Sequence, residues 1–132
     1  MKITDVSIVP FRQNFKHQLK TAGQNFDHGE GLVIKIKSNK VTGYGESSPL
    51  RGYNIESLKE VSYALESYRL ATFDIGKTSI DELLSLIPIH SNGYPSVEFG
   101  LETAIYDLVS QIDGKSFSKY LNSDASEFLK SN

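Results

Sequence analysis

Cysteine is absent from these 132 residues, which removes disulfides, thiolate metal sites and a cysteine nucleophile together. Long apolar runs are absent as well. The N-terminal MKITDVSIVPFRQNF has no stretch long enough for a signal peptide or a membrane span, so neither is expected and a cytoplasmic location follows by default. Neither sign of charge dominates: 14 Lys and Arg face 16 Asp and Glu, for a formal net charge of -2. That balance gives no electrostatic reason to expect nucleic acid or an anionic membrane as a partner. Internal repeats and low-complexity tracts are also missing. What is present, 39% hydrophobic and 23% charged residues, is an ordinary globular mixture of a size for one domain.

Residues 2 to 13 predict a strand, with Val6, Ile8 and Pro10 at alternate positions and Pro10 suited to an edge or an end. Residues 14 to 30, NFKHQLKTAGQNFDHGE, lose periodicity and gain polar residues. They are expected to form a long loop, of the kind that often serves as a functional lid. In GLVIKIK, Leu32, Ile34 and Ile36 face one way while Val33, Lys35 and Lys37 face the other. Ser38-Asn39-Lys40 supplies a turn, and Val41 to Glu46 returns as a third strand.

Helices follow. Asn54 is placed to cap one that carries Leu58, Val61, Leu65 and Tyr68 on a single stripe; a later start would make a capping box of Ser57 and Glu60. Ile80, Leu83, Leu84 and Ile87 predict a shorter helix that begins near Ser79 and ends at Pro88. Pro95 opens the longest helix, with Val97, Leu101, Ala104, Ile105, Leu108 and Ile112 on one face and Gly114 at its stop. Gly100 in its interior costs about 1 kcal/mol against alanine, and close approach of a neighbouring backbone would explain it. Ser116 to Leu121 adds a last helical pattern. Strands first and helices afterward make an α+β domain, a three-stranded antiparallel meander followed by a helical bundle.

The segment GYGESSPLRGY looks at first like a phosphate loop. A dinucleotide fingerprint needs a third glycine and an immediate helix, and a P-loop needs Gly-Lys-Ser/Thr; both are missing here. On local grounds Gly43 and Gly45 relax a strand end. His17, His28 and His90 have no ligand spacing and are expected at the surface. Glu98 and Glu102, four apart on the long helix, are expected to face solvent rather than share a cation. Lys35 and Lys37 cover the exposed face of the sheet, and Ser47 and Ser48 have no triad partners. No constellation in the chain can run chemistry unaided.

The order of strand, lid segment, hairpin GEGLVIKIKSNKVTGYGE, loop SSPLRGYNIES and helix PSVEFGLETAIYDLVSQIDGKSFSKYL resembles the N-terminal capping domain of the enolase superfamily. Within it the chain is most similar to the mandelate racemase and muconate lactonizing branch, and GYGESSPLRGY is similar to o-succinylbenzoate synthases. Arg51 stands where that family commonly has proline, and Tyr44 where tryptophan is frequent.

The resemblance implies a capping domain over residues 1 to 121 and a linker over 122 to 132 leading into an absent (β/α)8 barrel, which alone takes about 250 residues. It implies two lid segments that meet a small carboxylate substrate. His17, Leu19, Lys20, Thr21 and Phe26 belong to the first, and Ser48, Leu50, Arg51 and Tyr53 to the second. The acid-base lysines and the carboxylates for Mg2+ are implied on the barrel, so this chain is expected to hold no metal and to be inactive alone. For the parent enzyme the resemblance implies dehydration on the route to menaquinone. A dipeptide epimerase or N-acylamino-acid racemase is the alternative, and a stand-alone binding or assembly module is the alternative of another class. Without its barrel the domain is expected to expose an apolar patch that includes some of Phe26, Leu50, Tyr53 and Phe117, and to self-associate through it.

Overall fold

The computed structural model describes residues 1–20, 23, 25–53, 56–73 and 75–131. Three strands, β1 (Asp5–Lys20), β2 (Asn25–Ser38) and β3 (Val41–Ser47), form an antiparallel sheet in the order β1-β2-β3. Four helices follow: α1 (Leu58–Thr72), α2 (Ile80–His90), α3 (Pro95–Ile112) and α4 (Phe117–Leu121). The expected α+β meander and helical bundle are both present.

The alternation in β2 does what it predicts. Ile34 and Ile36 are fully buried and join Val61, Leu65 and Tyr68 of α1, Leu83 and Ile87 of α2, and Leu101, Ile105 and Leu108 of α3 in one core. Lys37 lies on the outer face of the sheet. The chain start is fastened by a reciprocal pair of 2.8 Å hydrogen bonds, from the Met1 amine to the Thr78 carbonyl and from the Thr78 N–H to the Met1 carbonyl.

Gly43 and Gly45 do not merely relax a strand end. A Cβ on Gly45 would overlap the Gly100 carbonyl oxygen, and one on Gly43 would overlap the Ala104 carbonyl oxygen. A Cβ on Gly100 would stand 2.8 Å from the Glu46 carbonyl oxygen. The glycines of β3 and α3 therefore let a helix lie with its backbone against the strand, which accounts for Gly100. Local sequence reading missed this because the partner of Gly45 is 55 residues away.

Edge strand β3 is closed by α3. Asp107 Oδ2 accepts from the Tyr44 N–H at 2.8 Å, and Gln111 Nε2 donates to the Thr42 carbonyl at 2.9 Å. Side chains one helical turn apart thus occupy ladder positions that would otherwise invite another strand. Asp107→Ala is expected to cost about 1 to 2 kcal/mol and to introduce concentration-dependent association. Urea unfolding and light scattering check both; a strictly monomeric variant of unchanged stability would refute the assignment.

Helix boundaries depart from expectation at three points. α1 starts at the later of the two candidate sites. Ser57 Oγ accepts from the Glu60 N–H at 3.2 Å while Glu60 Oε2 accepts from the Ser57 N–H at 2.8 Å, and Asn54 lies outside the described residues. α2 runs past Pro88 to His90. Pro88 is exposed in the last turn, and His90 is held there by a 2.8 Å hydrogen bond to Ser67 and an edge-on contact with Tyr68. Ile112, expected on the buried face of α3, is 48% exposed. Gly114, at φ 68°, ends α3 as expected, and the Lys115 N–H closes back on the Ser110 carbonyl at 2.9 Å.

Candidate functional site

The region expected as a long loop is a hairpin. β1 and β2 pair from Asp5↔Lys37 to Asn14↔His28, and again at Leu19↔Phe26 and Lys20↔Asn25. Between these stretches the register shifts. From Arg12 onward β1 is exposed on both faces, so it carries no hydrophobic alternation and the backbone ladder alone defines it. His17 lies in the irregular stretch, exposed, and Leu19 and Lys20 stand near the tip. Thr21 lies outside the described residues.

The second segment leaves β3 at Ser47, which is fully buried, and turns over Leu50 to Tyr53. The Tyr53 N–H donates to the Leu50 carbonyl at 3.0 Å, and Gly52 takes φ 84°. A Cβ at position 52 would strain in this conformation. At the base of the turn Ser48 packs where a side chain on Gly31 would otherwise be.

Between hairpin and turn lies an open cleft of about 430 Å³. Phe11, Phe15 and Phe26 supply its apolar wall, and Ser48, Pro49, Leu50 and Arg51 form the opposite side. Of the expected lid residues, the fold brings Phe26, Ser48, Leu50 and Arg51 together here. His17, Leu19 and Lys20 stay farther out along the hairpin, and Tyr53 projects into solvent at 61% exposure.

Ionic contacts connect the two sides. Arg51 Nη2 reaches Glu30 Oε1 at 3.3 Å, joining turn to hairpin. Ser48 Oγ donates to Glu46 Oε1 at 2.6 Å. His28 Nδ1 lies 2.7 Å from Asp27 Oδ1 and 3.4 Å from Arg12 Nη2. The shorter contact makes Nδ1–H the donor to Asp27, which leaves Arg12 a charged neighbour rather than a donor. The hydrogen bond from His28 lowers the Asp27 carboxyl below its usual value.

Sequence reasoning missed Phe11, Phe15, Asp27, His28, Glu30 and Glu46 as cleft residues. Phe11 and Phe15 did carry a signal, being aromatic and four apart on a strand. Of the residues expected in an apolar patch, Leu50 and Tyr53 are 38% and 61% exposed, while Phe26 is half-buried and Phe117 packs against Tyr106 with ring centroids 6.3 Å apart.

The acidic groups around the cleft do not fit a magnesium ion. Asp27, Glu30 and Glu46 are engaged by His28, Arg51 and Ser48, respectively. Among the described residues no three His, Asp or Glu are placed to hold a metal. Likewise, no described helix is long and apolar enough to cross a membrane.

The family model for the MenC N-terminal domain matches residues 4–108. The chain belongs to that family. The MenC domain is 30% identical over 83 residues to an o-succinylbenzoate synthase of Klebsiella pneumoniae (strain 342), covering 63% of this chain and 22% of that protein. Its fold matches a dipeptide epimerase from Cytophaga hutchinsonii complexed with Mg and D-Ala-L-Val, with TM-score 0.82 and 22% identity, over 95% of this chain and 35% of that one. It also matches a member of the enolase superfamily from Roseovarius nubinhibens ISM, with TM-score 0.71 and 18% identity, over 85% and 31% of the two chains. The architecture is shared with part of each of these two solved structures. The matches cover between 22% and 35% of the length of these relatives.

Proposed function

We propose that this MenC domain is the lid of an o-succinylbenzoate synthase. In this reading, catalytic groups and Mg2+ sit on a (β/α)8 barrel of the same enzyme, and the cap closes over a small carboxylate substrate. The observation that carries the reading is the cleft between hairpin and turn, where an aromatic wall faces a loop bearing an exposed cation. Such a surface excludes water from one side of a ligand and offers a guanidinium to an anion on the other. Arg51 is three-quarters exposed, so its pairing with Glu30 is weak and a substrate carboxylate can exchange for it. Magnesium would supply stabilisation of the enolate on the barrel; this chain's part is to bind, orient and exclude water.

The test combines the domain with a separately expressed barrel and follows dehydration to o-succinylbenzoate. Activity is expected only when both pieces are present, and none from this chain with or without Mg2+. Arg51→Ala is expected to raise KM about tenfold, the size of one charge-assisted hydrogen bond, with little effect on stability. Turnover of dipeptides or N-acylamino acids instead would establish the epimerase or racemase alternative. Failure with every barrel, alongside tight capture of an unrelated partner, would establish a stand-alone module.

A further inference from the structure

Glu56 lies outside the cleft, yet it is 5% exposed, and among the described residues the other carboxylates reach solvent more freely. Its Oε1 accepts from the Ser96 N–H at 3.2 Å, across 40 residues of sequence. Ser96 is in the first turn of the 18-residue helix α3, whose N-cap, Tyr94, makes no side-chain capping bond. The first turn of a helix presents unpaired N–H groups and a positive dipole end, and a buried carboxylate satisfies both. Glu56 therefore does for α3 what its own cap does not. It also directly precedes Ser57, the cap of α1, so one residue joins the starts of two helices.

We infer that Glu56 is a positioning residue that anchors the turn carrying Ser48, Leu50 and Arg51 to the start of α3. At most about 3.6 Å of chain per residue separates Tyr53 from this pin, so fixing Glu56 confines the far end of the turn. Buried Ser47 fixes the other end. With both ends held, Arg51 is kept within reach of Glu30. Substituting Glu56 releases one end and lets the turn leave the cleft while the core stays packed. The significance of this anchor for an enzyme rests on the lid reading above, but the anchor itself can be tested without any enzyme.

Limited trypsin digestion of the 132-residue chain reads it directly, because Arg51 lies in the turn and Arg69 in the last turn of α1, away from it. Glu56→Ala is expected to speed cleavage after Arg51 about tenfold, the size of one lost charge-assisted hydrogen bond, and cleavage after Arg69 less than about twofold. Glu56→Gln keeps an acceptor for the Ser96 N–H but loses the charge, and should fall between wild type and alanine. It also carries the comparison if the alanine variant does not fold. Equal acceleration at Arg51 and Arg69 would reduce Glu56 to a general contributor to stability, and unchanged cleavage after Arg51 would overturn the anchor.

Discussion

Replacing Gly45 by alanine is expected to cost at least about 3 kcal/mol and to lower the melting temperature by about 10 °C. The added methyl group would overlap a backbone carbonyl, that of Gly100 in α3. A flexible side chain could turn aside; here the helix must lift from the strand. Lifting it separates Ile34 and Ile36 from Leu101 and Ile105, all fully buried, and strains the bonds from Asp107 and Gln111 to the strand edge. Gly100→Ala should be milder, since a helix-propensity gain of about 1 kcal/mol offsets part of its clash. Gly23→Ala, where nothing lies within 4 Å of the added atom, should be close to neutral. Thermal and urea unfolding of the three variants would decide. A Gly45→Ala protein within about 1 kcal/mol of wild type would show that strand and helix are not packed backbone to backbone.

The second large effect appears at alkaline pH. Tyr68 is fully buried and donates its hydroxyl to the Leu83 carbonyl at 3.0 Å. Burial raises its pKa well above the ordinary value of 10.0. A raised folded-state pKa means that its stability contribution is whole below pH 10 and declines above it. There the unfolded chain releases a proton that the folded chain keeps. The slope reaches about 1.4 kcal/mol per pH unit and persists until the folded-state phenol itself ionises. Tyr68→Phe should cost about 1 kcal/mol at neutral pH through the lost hydrogen bond, yet abolish this part of the alkaline decline. Stability curves of both proteins at pH 8, 10 and 11 should therefore converge or cross. Parallel curves would mean that Tyr68 reaches solvent as the pH rises.

Much of this domain was legible along the chain because burial imposes a period. Leu32, Ile34 and Ile36 alternate since one face of β2 meets the core, and Val61, Leu65 and Tyr68 recur at helical spacing for the same reason. Their order, together with GYGESSPLRGY, was enough to raise the resemblance to capping domains and to point to two segments, of which the fold brings Phe26, Ser48, Leu50 and Arg51 to one cleft. Where neither face is buried, the period vanishes. The outer half of β1 looked like loop because it is held by backbone hydrogen bonds, which any residue but proline can make.

Contacts between distant segments left no local mark either. The fit of Gly45 against Gly100, the reach of Glu56 to Ser96 and the pairing of Glu30 with Arg51 depend on how the helices settle on the sheet. Sequence alone determined most of the elements, the core and the family resemblance, because local propensity and burial periodicity are properties of neighbouring residues. Only the tertiary structure decided which side chains share the cleft and what holds its turn in place, because those depend on atoms brought together from 21 to 55 residues apart.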